Sequence, residues 1–74
     1  MRESEFWRAV EQEFGDAYGR VVTQDVVLAD LGGRSAVDAL AGGVPARRVW
    51  DALCIVQDVP LERRHGKGLA EPKS

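Results

Sequence analysis

Apolar residues recur at helical spacing along most of this chain, and the stretch from Val44 to Val59 carries the strongest stripe. Val49, Trp50, Leu53 and Val56 fall on one side of a helix with about 3.6 residues per turn. Pro45 suits the opening of that helix, because the N–H it lacks would have found no partner in the first turn. Asp58-Val59-Pro60 stops it, since the residue before a proline is pushed out of the α region. On the helical wheel Trp50 lies at the edge of the buried face, and Ile55 lies on the opposite side among Arg48, Asp51 and Asp58. A helix with so much apolar surface needs a cover, and in 74 residues nearly everything upstream is needed to supply it.

The upstream pattern predicts further short helices. Ser4 can cap the first, with Glu5 placed against the positive helix end, and Phe6, Trp7, Val10 and Phe14 form its apolar stripe. Gly15 supplies the stop. Asp16 can cap the next segment, whose apolar positions Tyr18, Val21 and Val22 are out of phase with Val27, Leu28 and Leu31. That mismatch predicts a new helix from Thr23 or Gln24, or else one kinked helix. The run VVTQDVV is β-branched enough for a strand, yet no second strand is evident for it to pair with. Ser35 and Asp38 read as a capping box for a helix over 36–41, with Val37 and Leu40 inward and Gly42-Gly43 closing it. After Pro60, LERR adds one turn and returns Leu61 to the core.

These elements predict an all-α fold, a single compact domain of four or five short helices packed at steep angles, with no sheet. The domain spans 1–65, and the Gly-, Lys- and Pro-rich residues 66–74 form a flexible C-terminal tail. The expected core is Phe6, Trp7, Val10, Phe14, Tyr18, Val22, Leu28, Leu31, Val37, Leu40, Val49, Trp50, Leu53 and Val56, with a surface anchor the alternative for Trp7.

Charge narrows the function classes. Residues 1–33 carry three basic and seven acidic residues, a net −4, whereas residues 34–59 balance and residues 60–74 carry a net +2. A mildly acidic body with a weakly basic tail is a poor footprint for a protein gripping nucleic acid by its phosphates. No apolar run reaches the roughly 20 residues of a membrane span, and no secretory leader opens the chain, so a cytoplasmic protein is expected. The single cysteine, Cys54, excludes an internal disulfide and is expected to be buried.

Seven segments resemble, in order, those of one small family: SEFW at Ser4–Trp7, FGDAYG at Phe14–Gly19, VLADLGGR at Val27–Arg34, VDAL at Val37–Leu40, Gly43-Val44, RRVWDALC at Arg47–Cys54 and DVPLERRHG at Asp58–Gly66. The chain is identified by them as similar to the actinobacterial family catalogued as domain of unknown function 3046, over about residues 1–66. The resemblance implies a short helical protein and no assigned activity. The family's gene neighbourhood, beside a recombinase and its regulator, hints at DNA maintenance. Ile55 and Val56 depart from the family pattern, which has polar or acidic residues there.

Candidate chemistry is sparse. One histidine, His65, and one cysteine on different elements make no nucleophilic set, and no enzyme is expected. Acidic pairs such as Glu11 with Glu13 read as solvated helix faces. Gly66-Lys67-Gly68 lacks the strand, glycine spacing and hydroxyl of a phosphate loop. His65 has no companion at metal-ligand spacing, so neither cofactor, metal nor small-molecule substrate is expected. Two readings remain. In the first, the chain binds a protein partner, or itself, through Arg47, Arg48, Trp50 and Ile55 or through Arg63, Arg64 and Lys67. In the second, SAVDALAGGVPARRVWDAL is helix-turn-helix-like and the same basic residues, with Arg34, meet DNA in recombination or repair. The second is weaker, because the element after Asp58 is short, is broken by Pro60 and has no Asn or Gln to read bases.

Overall fold

A computed structural model describes residues 1–64 of the chain. Four helices pack around one core: α1 (Glu3–Phe14), α2 (Asp16–Gln24), α3 (Ala36–Ala41) and α4 (Ala46–Val56). Strands β1 (Val27–Leu28) and β2 (Arg34–Ser35) pair between α2 and α3, and short 3-10 turns occupy Ala29–Leu31 and Leu61–Arg63. The tail expected at 66–74, with His65 and Lys67, lies outside the described residues.

The cap of α1 lies two residues before the expected Ser4. Glu5 reaches back to accept the Arg2 backbone N–H at 2.6 Å, so Arg2 becomes the cap position. A charged acceptor in the first turn is a stronger partner than a serine hydroxyl. Gly15 then turns α1 directly into α2 at φ 84°, a conformation that suits a residue without Cβ. Asp16, expected as the cap of α2, is its first helical residue instead. Within α2, buried Thr23 satisfies its hydroxyl by donating to the Gly19 carbonyl at 2.8 Å.

The predicted helix from Thr23 or Gln24 does not form, and the expectation of no sheet is corrected here. Val27 pairs with Ser35 and Leu28 with Arg34 in an antiparallel ribbon. Gly32 and Gly33, at φ 77° and 78°, reverse the chain between them, and the Gly33 N–H closes the turn on the Leu28 carbonyl at 3.0 Å. Of the β-branched run only Val27 joins the ribbon, and residues 21–24 stay in α2.

Helix α3 forms where expected, with Ser35 Oγ accepting the Asp38 N–H at 3.1 Å. Its C-terminus and that of α4 close in the same way. Val44 N–H returns to the Ala39 carbonyl at 3.0 Å beside Gly43, and Val59 N–H to the Cys54 carbonyl at 2.9 Å beside Asp58. Asp58 itself adopts φ 60°, the left-handed residue that this closing motif requires. Pro45 precedes α4 as its cap.

The core is centred on Trp50, which is 1% exposed. Phe6 and Phe14 meet its indole edge to face at centroid distances of 6.1 and 6.5 Å. Val10, Val22, Leu28, Leu31, Val49 and Leu53 are buried around it as expected, with Phe14, Val37 and Leu40 partly buried. Four expectations fail. Trp7, Tyr18 and Val56 are exposed, and Leu61 is 71% exposed. Val59 fills the place foreseen for Leu61, because the turn at Asp58 swings it inward. Val56 is the last residue of α4. The space is taken by Ala9, Ala36, Ala39, Ala46 and Ala52, all buried, which let the helices approach closely.

Candidate interaction surface

The expected partner surface on α4 is only partly assembled. Ile55 is 56% exposed, as its place on the wheel requires. It borders a shallow hollow of about 280 Å³ with Arg48, Asp30, Leu31 and Asp51. Trp50 is removed from this surface: the helix buries a wider arc than its stripe suggested, and the Trp50 indole N–H donates to the Arg64 backbone carbonyl at 2.6 Å. Arg47 pairs with Asp51 one turn on, at 3.3 Å. Arg63 holds the largely covered Glu13 at 2.9 Å, and Arg64 Nε donates to the Val59 carbonyl at 3.0 Å. These two arginines fasten the C-terminal turn to the body. Lys67 is outside the described residues, and Arg34 lies folded against Gly42.

The helix-turn-helix reading meets the same geometry. Helices α3 and α4 are joined by a glycine turn, but α4 buries Ala46, Val49, Trp50, Ala52, Leu53 and Cys54. Little of it is left to enter a groove, and only a three-residue 3-10 turn follows it within the described chain.

A different surface is better formed. Helices α1 and α2 meet where Gly19 lies against Val10, so closely that a Cβ on Gly19 would come 2.9 Å from Val10 Cγ1. Beside that contact opens a groove of about 320 Å³, with Trp7, Val10 and Glu11 on one wall and Gly19, Arg20 and Thr23 on the other. Trp7 is 38% exposed, its ring packed edge to face on Phe6 at 5.0 Å. Its indole N–H is directed to the Glu3 carboxylate at 3.4 Å. Phe6 and Trp7 are adjacent and point about 100° apart around the helix. The core takes Phe6, and Trp7 is left on the α2 side. Glu11 and Asp16 line the groove, with Asp16 in a loose pair with Arg20 at 3.8 Å. Sequence reading favoured the core for Trp7 over its alternative as a surface anchor and so missed the groove; the signal present was the adjacency of two aromatics on one helix.

Reactive groups lie elsewhere. The Cys54 thiol is buried, and burial, only partly offset by nearby Arg64, pushes it up from 9.0 to about 12. Among the described residues, no three His, Cys, Asp or Glu side chains are placed to hold a metal ion. None of the described helices is long and apolar enough to cross a membrane.

No curated protein and no solved structure matches the chain. A family model described as Protein of unknown function (DUF3046) matches residues 1–62. Those residues span all four helices, the ribbon and the start of the last turn, and the chain therefore belongs to that family.

Proposed function

We propose that the chain is a non-enzymatic protein-interaction module whose binding face is the α1–α2 groove. The observation that carries this reading is the position of Trp7, a half-exposed tryptophan on the wall of an open groove in so small a domain. Tryptophan anchors at the centre of a contact supply much of the affinity of protein interfaces. The rigid backing of Phe6 holds the ring in place before a partner arrives, which lowers the cost of ordering it. The one thiol adds support, since a buried group kept protonated is a poor nucleophile. Association with DNA has less support, because Arg47, Arg63 and Arg64 already have protein partners.

The experiment is capture from a native lysate with matched wild-type and Trp7→Glu baits, followed by titration of the purified captured protein. A partner retained by wild type and lost by the variant, with both baits equally helical by circular dichroism, supports the reading. Identical capture by both baits overturns it.

A further inference from the structure

We infer that the α1–α2 groove receives a basic segment of its partner, with an arginine or lysine side chain laid over Trp7 between the carboxylates of Glu11 and Asp16. This rests on the groove being the binding face and adds the chemistry of what fills it. Three observations converge on a cation. The Trp7 N–H is already directed to Glu3, so the ring offers a ligand its π face, which attracts guanidinium and ammonium groups. Glu11 and Asp16 line the same hollow, and Arg20, its one cation among the lining residues, is tethered to Asp16 at 3.8 Å with both side chains largely in water. The groove is thus net acidic, and it lies in the part of the chain, residues 1–33, that carries a net −4.

Shape agrees with charge. Gly15, where an added Cβ would meet nothing within 4 Å, contributes bare backbone to the lining, so an extended segment can approach closely there. At about 320 Å³ the hollow is at the small end of ligand sites. It suits one long side chain and its neighbours better than a folded domain. An acidic partner would meet like charge, a cost that opposes binding.

The test is a ¹⁵N NMR titration of the full chain with a blocked hexapeptide of alternating arginine and glycine, and with its glutamate counterpart. The arginine peptide should move the Trp7 indole N–H and the Gly15 and Gly19 amides saturably and leave the Trp50 indole N–H in place. The glutamate peptide should move none of them. Trp7→Ala should weaken binding roughly tenfold, the upper range of an arginine–indole contact. Because Trp7 also packs on Phe6, the exposed pair Glu11→Gln with Asp16→Asn gives an independent check and should weaken it comparably while the far-ultraviolet circular dichroism spectrum at the titration temperature stays that of wild type. Shifts spread over all surface carboxylates, indifference to both sets of substitutions, or the same shifts on diluting the protein without peptide would each overturn the inference. If capture is Trp7-dependent but the partner offers no basic segment, the interaction reading stands and this inference fails.

Discussion

The indole N–H of Trp50 donates to the backbone carbonyl of Arg64 at 2.6 Å, joining the centre of the core to the C-terminal turn. Trp50→Phe keeps most of the ring contacts with Phe6 and Phe14 but removes that bond and leaves a small void. The expected loss is about 2 kcal/mol. Trp50→Ala should lose about 3–5 kcal/mol, enough to leave little folded protein in a domain this small. Urea unfolding followed by far-ultraviolet circular dichroism measures both. A Phe variant as stable as wild type would show that the bond contributes nothing.

Gly19 and Val10 set how closely α1 and α2 approach. Alanine at 19 gains helix propensity of about 1 kcal/mol, but its Cβ would press Val10 Cγ1 from 2.9 Å. Val10 is buried and β-branched, so it yields little. Gly19→Ala should therefore destabilise wild type by roughly 1 kcal/mol. In a Val10→Ala background the same change should stabilise, because the clash is gone and the propensity remains. Stabilisation in both backgrounds would remove the close contact from the account.

Cys54 gives stability a predictable alkaline limb. The thiol ionises near 9.0 when exposed and at about 12 in the fold. Above pH 9 the unfolded chain has released a proton that the folded chain still holds. The stabilisation is fully present below pH 9 and falls toward pH 12 by about 1.4 kcal/mol per pH unit. Cys54→Ala, expected to cost about 1 kcal/mol at neutral pH, should show a shallower decline over that window. Parallel declines in the two proteins would contradict the assignment.

The arginines offered to DNA make a further test. Fluorescence anisotropy with a duplex should show at most weak association that vanishes at moderate salt, since a phosphate-binding surface needs several uncommitted cations. Tight binding with a steep salt slope, lost in Arg47→Ala with Arg48→Ala, would restore the DNA reading.

Local features were legible in the sequence and relational ones were not. Ser35 caps α3 by accepting the Asp38 N–H, a signal contained within four residues. The apolar spacing of Val49 and Leu53 likewise specified one face of α4 without outside information. The ribbon was hidden because Arg34-Ser35 is too short to alternate, and its pairing depends on the turn at Gly32-Gly33. The buried alanines were hidden because a small side chain reads the same whether it faces a neighbour or water. Trp50 is buried as expected, whereas Trp7, expected beside it in the core, is exposed. A stripe says that Trp7 or Phe6 turns inward, and only the positions of α2 and α4 decide which.

The contrast between exposed Trp7 and buried Trp50 is the claim on which the groove depends, and acrylamide quenching tests it most directly. In Trp7→Phe the remaining tryptophan fluorescence is that of Trp50 alone. It should be blue-shifted relative to wild type, with a quenching slope several-fold smaller. Emission from Trp50 quenched as readily as in the wild-type protein would place that ring at the surface and contradict the account.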